Sequence, residues 1–412
     1  MSRRDSGSVL IVALVAIAVL ALIAATATSG IRADLLSQQN KVERRRAERA
    51  AQSGVQFALA SLISVDANVL TQNDDWVQLN GQTRYVIGDS SYRVQVLDLG
   101  SRVNINTTTE AQLEEMPLTT EQIESLLDWR EAELQPRVEG AKDEYYNNLT
   151  DPYNARLRRF DTLTELLLVK GWLPSTLYEP VEDTTNDPLV NGSQEDQPRL
   201  AELLTADSMS PNTNESGEQR LNVNQVQAQQ MTQRGISQTI AQAIVQRRNT
   251  QGTFETMRQV LEVQGMTLEN AEAVLNNLSV SAEASVEGKI NLNTATEAVL
   301  NTIPDMTSDT VNAILGQQGS FASLGELATL SGVTLEVVQQ TADYFTVGSS
   351  MFLVRTMGEQ AGRRVFLEAI VEIVEGTPKI KRIEATPFGE MRERWGWETD
   401  PGQETIIVES QS

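Results

Sequence analysis

The sequence predicts an α+β protein. An N-terminal transmembrane helix extends into a helix-plus-antiparallel-sheet domain, and an all-α domain of repeated helical hairpins is inserted into that sheet. Three observations predict this. Residues 8–28 are apolar and carry no charge. Period-two strand patterns occur at residues 83–98 and again beyond residue 350. Between them, one helical pattern recurs three times with the same internal offsets.

The first element is SVLIVALVAIAVLALIAATAT, residues 8–28. As a helix it spans roughly 30 Å, the thickness of a hydrocarbon core. It exceeds the roughly 7–15 apolar residues of a cleaved export signal, although Ala24, Ala25 and Ala27 imitate a small-residue cleavage site. A short basic leader, residues 1–7, carries Arg3 and Arg4 and ends at Gly7. After the span come Arg32, Lys41, Arg44, Arg45, Arg46 and Arg49, so the positive-inside rule alone favours the reverse orientation. The helix is expected to extend over 29–66. Ala47, Ala50, Ala51, Gly54, Val55, Ala58 and Leu62 repeat at three-to-four spacing and form one apolar stripe, expected to pack against partner helices or its own domain.

The sheet is expected from 67–103 and 348–390. Tyr85-Val86-Ile87 and Tyr92 to Val96 flank Gly88-Asp89-Ser90-Ser91, a hairpin signal. Residues 351–355 and 364–374 alternate around a Gly358-to-Gly362 turn, and 379–384 add a further strand. The acidic tail, 391–412, is expected to be disordered from 398 on.

The inserted domain, 104–347, is expected to hold units at 104–171, 222–280 and 291–345. Each opens on an asparagine pair: Asn104 and Asn106, Asn222 and Asn224, Asn291 and Asn293. These are read as helix N-caps, a side-chain oxygen accepting from free backbone N–H groups. Each unit closes alike, on Phe160, Leu163, Leu166, Val169 and Gly171, on Phe254, Met257, Val260, Val263 and Gly265, and on Phe321, Leu324, Leu327, Leu330 and Gly332. That is an apolar face stopped by glycine. The first unit carries an insertion holding Tyr145, Tyr146, Pro152 and Tyr153.

The composition excludes much chemistry. With no cysteine and no histidine among 412 residues, there is no disulfide, no thiolate metal site and no serine–histidine triad. No constellation points to an enzyme. A net charge of −23 repels polyanions. The units look like helix-hairpin-helix modules, which often bind DNA through a glycine-rich turn. Of the turns at 115–118, 234–236 and 303–306, only the second has a glycine, Gly235. The stretch 289–347, which holds the third unit, has one basic residue, Lys289, against six acidic ones. Nucleic acid is therefore not the expected partner, and a membrane-anchored DNA receptor is the alternative reading. The stretch 172–220 holds ten acidic residues and two arginines. Asp183, Asp187, Glu195 and Asp196 could gather calcium through oxygen ligands, but no EF-hand spacing is present and no cofactor is assigned.

These residues carry a resemblance. The basic leader ending at Gly7, followed without a break by the apolar helix, resembles type IV pilin-like proteins. The segments Arg45–Leu62 and Tyr145–Gly171 resemble the K-type minor pseudopilins of bacterial type II secretion. The resemblance implies cleavage by prepilin peptidase between Gly7 and Ser8, although Ser8 is smaller than the family's usual residue there. Most relatives carry a glutamate where this chain has Val12, and the K-type branch usually lacks it. That suits a tip subunit with no earlier neighbour, since an unpaired carboxylate in lipid is costly. The resemblance further implies a pilin-like helix-plus-sheet domain with inserted helical units. It implies a non-catalytic role at the tip of the pseudopilus, calcium binding, and partners of the I-type and J-type together with the inner-membrane secretion platform. The location it implies is the inner membrane, single-pass, with the C-terminal domain in the periplasm. A third helical unit departs from the two the family leads one to expect.

Overall fold

The computed structural model describes residues 5–180, 198–386, 395, 397 and 405–407. No proline occurs before Pro117, and one unbroken helix, α1 (Asp5–Leu62), runs for 58 residues. Its apolar stripe is buried: Ala47, Ala51, Ala58 and Leu62 are fully covered, and Ala50 and Val55 nearly so. What covers them is the chain's own sheet, so of the two expectations for the stripe the structure shows packing on its own domain. The small side chains are the reason. Alanines let α1 lie so close that a Cβ on Gly358 of the sheet would sit 1.9 Å from the Ala47 carbonyl oxygen. Side chains within the apolar run are described for residues 10–23, and all are exposed. Among the described residues no helix is long and apolar enough to cross a membrane.

Strands β1 (Arg84–Ile87) and β2 (Ser90–Asp98) form the expected hairpin, turning at Gly88 with φ 57°. The chain then leaves the sheet for the helical units. The first comprises β3 (Val103–Asn104), α2 (Glu110–Glu114), α3 (Thr120–Arg130), α4 (Asp143–Tyr146), a 3-10 turn (Leu163–Leu168), α5 (Pro174–Tyr178), α6 (Leu200–Leu203) and β4 (Leu204–Thr205). It therefore ends at Thr205 rather than at 171, because β4 closes it by pairing parallel to β3. A short β5 (Ser210–Pro211) leads to the second unit, β6 (Leu221–Asn222), α7 (Ala228–Gln233), α8 (Gln238–Gln251), α9 (Met257–Leu261), α10 (Leu268–Asn277) and β7 (Leu278–Ser279). After β8 (Ser285–Val286), antiparallel to β5, comes the third: β9 (Ile290–Asn291), α11 (Glu297–Leu300), α12 (Ser308–Gln317), a 3-10 turn (Leu324–Thr329), α13 (Leu335–Thr341) and β10 (Phe345–Thr346). The second and third units close as the first does, β6 parallel to β7 and β9 parallel to β10. One continuous apolar core runs through all three.

The chain returns as β11 (Met351–Gln360), β12 (Arg363–Val374) and β13 (Thr377–Thr386), and β14 (Thr405–Ile407) follows. The sheet order is β13-β12-β11-β2-β1-β14. β11 pairs antiparallel with β2, Phe352 opposite Asp98, so the helical units leave and rejoin the sheet at neighbouring points. The expectation of a disordered tail is corrected at 405–407, where β14 adds a parallel edge strand to β1. Trp395 and Trp397 pack with Met357 and Phe366 on the sheet face turned away from α1.

Candidate functional site

With neither cysteine nor histidine, the structure's informative sites are the joints that hold its elements and the surfaces it leaves open. The first joint is set by the asparagine pairs. In each pair the first side-chain oxygen accepts from the second residue's backbone N–H, at 2.9 Å (Asn104), 2.8 Å (Asn222) and 3.0 Å (Asn291). The second asparagine reaches across its unit. Asn106 accepts from Phe160 N–H at 2.8 Å and donates to the Phe160 carbonyl at 3.1 Å. Asn224 does the same with Phe254 at 2.7 and 2.9 Å, and Asn293 with Phe321 at 3.0 and 2.9 Å.

The N-cap reading of these residues is therefore corrected. The cap of α2 is Thr109 and that of α11 is Thr296, each accepting from a backbone N–H three residues on, while α7 begins after Gln227. The physical reason lies in the amide. A carboxamide donates and accepts at once, as a peptide group does, so it can pair with both backbone groups of one distant residue. A carboxylate has no donor, and a hydroxyl donates and accepts from one atom, so neither spans the two groups as the amide's separate oxygen and nitrogen do.

A second set of residues gives no signal in an N-cap reading. Arg130, at the end of α3, donates to the carbonyls of Ile105 at 2.6 Å and Thr108 at 2.7 Å. Arg248 serves Val223 at 2.7 Å and Val226 at 2.9 Å. Gln318 serves Leu292 at 3.1 Å and Ala295 at 2.5 Å. The offset from the second asparagine is nearly constant, and that spacing was the available signal. Burial lowers the pKa of Arg130, but a guanidinium stays charged there. The closing glycines Gly171, Gly265 and Gly332 have φ of 80°, 89° and 85°, the left-handed region that favours glycine.

The insertion of unit one builds a cover over α3. Tyr146 is fully buried, its ring 5.1 Å from Trp129 and 5.3 Å from Tyr153. Its hydroxyl accepts from Lys170 N–H at 3.2 Å, tying the insertion to the closing half. Beside it lies a cavity of about 520 Å³ lined in part by Leu134, Pro136, Tyr145 and Leu157.

The hairpin turns are poorly suited to phosphate. Gly235 takes φ 84° in the second turn, yet its neighbour Arg234 is ion-paired to Glu218. In the third turn the left-handed position is held by Asp305, φ 62°, whose carboxylate would meet an incoming phosphate. Asp183, Asp187, Glu195 and Asp196 lie outside the described residues. Among the described residues no cluster of acidic groups is arranged to hold a metal ion.

The sheet and the helical units meet at Asp98, which is 2% exposed. It accepts from Gly100 N–H at 2.7 Å, from the Thr294 hydroxyl at 2.6 Å and from the Asn291 amide at 3.2 Å. Burial pushes its carboxyl up, and these donors oppose the shift. At the other end of the molecule, Gly7 and Ser8 lie within α1. Val12 is 66% exposed on that helix, in the run from Leu10 to Ile23 whose side chains are all exposed.

Residues 102–179, which span most of the first unit and its insertion, match the family model described as type II secretion system (T2SS), protein K. Residues 216–279, the second unit, match the helix-hairpin-helix motif. A solved structure, "The Crystal Structure of the GspK-GspI-GspJ complex from enterotoxigenic Escherichia coli Type 2 Secretion System", aligns at 12% identity with a TM-score of 0.44. The alignment covers 85% of this chain and 99% of that chain. No curated protein gives a significant match. The family recognised in the sequence is thus the one found on the residues of the first unit.

Proposed function

We infer that this chain, a K-type pseudopilin of type II secretion by the match over residues 102–179, is a structural subunit at the pseudopilus tip that supports protein export across the outer membrane. The observation that carries the reading is the family match falling on the first unit, including the Trp129–Tyr146–Tyr153 cover specific to it. The joints described above hold the units closed, and among the described residues none presents a nucleophile with a base. We assign no catalysis to the chain.

In this reading residues 8–28 form a membrane helix that stores the subunit in the inner membrane, with the C-terminal domain in the periplasm. The exposure of every described side chain from Leu10 to Ile23 supports it, because leaving that many large apolar groups in water is costly. Prepilin peptidase would cut between Gly7 and Ser8. Val12 spares a tip subunit an unpaired carboxylate in lipid. The helical units would block a further subunit from docking above the sheet, as an end cap requires. The partners would be I-type and J-type minor pseudopilins and the inner-membrane platform. The DNA-receptor alternative is not favoured, since the one hairpin cation beside a glycine, Arg234, is neutralised by Glu218.

The deciding experiment is intact-mass analysis of the chain purified from membranes of its native host, beside a Gly7→Val variant. The expected result is a mature chain starting at Ser8, and an uncut, secretion-defective variant. A chain that keeps its leader while secretion proceeds normally would overturn the reading.

A further inference from the structure

The chain carries a net charge of −23, yet one stretch of α1 reverses the sign. Lys41, Arg44, Arg45, Arg46 and Arg49 are all exposed. Among the described residues none of them meets a carboxylate within ion-pair distance. Their neighbours are differently placed: Arg364 pairs with Glu359 at 2.9 Å, and Arg363 donates to Asn40 at 2.7 Å and reaches Glu43 at 4.0 Å.

The spacing is the telling feature. Lys41, Arg45 and Arg49 stand four residues apart, so they form one line about 12 Å long on the face of α1 turned away from the sheet. Like charges at that spacing destabilise a helix by a few tenths of a kcal/mol per pair. Nothing described within the chain offsets that cost. Arg44, on the flank, lines a cavity of about 510 Å³ between α1 and the β11–β12 turn, together with Arg363 and Arg364. Val42, 49% exposed beside the line, adds apolar contact.

We propose that this strip of α1, from Lys41 to Arg49, docks an acidic helix of a partner protein whose carboxylates stand four residues apart. A helix is the matching shape, because its own surface rows repeat at the same interval. A phospholipid surface fits less well. The strip begins thirteen residues beyond residue 28, about 20 Å along the helix, whereas the headgroup layer extends only about 5–8 Å past the hydrocarbon. That exclusion alone rests on the membrane-helix reading. Nucleic acid is disfavoured by the charge of the rest of the chain.

The chain has no cysteine, so Glu48→Cys places one environment-sensitive dye beside the strip. The full chain is held in phosphatidylcholine nanodiscs and titrated with an alanine-based helical peptide carrying three glutamates four residues apart. The same peptide with lysines is the control. The expected result is saturable binding of the acidic peptide that is abolished by about 0.5 M salt. The K41E/R45E/R49E variant should lose that binding at least about tenfold and take up the lysine peptide instead. All three positions are exposed, so its thermal unfolding should match the parent. Unchanged acidic-peptide binding in the triple variant would overturn the proposal. So would a dye response that requires phosphatidylglycerol in the disc and ignores the peptide; that outcome assigns the strip to lipid and also counts against an upright membrane helix.

Discussion

A single carboxamide holds each helical unit shut, and the three copies differ in how deeply they do so. Asn293 is fully buried, whereas Asn106 and Asn224 are half-buried. Asn293→Asp keeps the shape but removes the donor to the Phe321 carbonyl and buries a charge facing that oxygen. A loss of about 3 kcal/mol or more is expected, against about 1 kcal/mol for Asn224→Asp, which water can reach. Urea unfolding of the full chain in detergent measures both, and equal losses would sink the argument. The asparagine positions were legible in the sequence at fixed offsets, but their role was not. The same residue type favours a helix start and a cross-chain clasp, and only the fold reveals that Phe160, Phe254 and Phe321 lie opposite. Arg130, Arg248 and Gln318 were missed because they share a position and a task but not a residue type.

Among the elements, α1 and the sheet show what periodicity can and cannot tell. The stripe at 47–62 was plain in the sequence, because a three-to-four repeat of small residues has no reading other than a covered helix face. What covers it was not legible, since an alanine stripe fits a foreign helix and an own sheet equally well. Gly358 decides the matter by letting α1 touch the strand. Gly358→Ala should cost about 1–3 kcal/mol through overpacking and push α1 off the sheet. Hydrogen exchange should then rise along α1 from Ala47 to Leu62 and leave the helical units unchanged. Exchange unaltered over that stretch would refute the close approach. The two-residue strands that close each unit are too short to leave any alternation in the sequence, which is why unit one was ended at 171. β14 was hidden for a related reason. Three residues in an acidic tail give no strand signal, yet an open edge at β1 is enough to pair them.

For the molecule as a whole, both halves hold tyrosines that resist ionisation. Burial pushes Tyr92, in the core under α1, up to about 12, and it pushes Tyr146, under the cover of unit one, up as well. The folded state therefore keeps protons that the unfolded chain releases near 10.0. The stability contributed by these groups is fully present below pH 10.0 and is lost as pH rises towards 12. Tyrosinate absorbance should appear in a delayed step that coincides with loss of ellipticity. A single early titration with the fold intact would contradict the burial of both rings.

Each helical unit begins and ends on strands lying side by side, and the sheet itself is left and rejoined at Asp98 and Phe352. A segment whose two ends meet can be spliced into or out of a chain without moving anything at the point of entry. The number of units can therefore change over evolution while the footing, where Asn291 and Thr294 meet Asp98, stays the same.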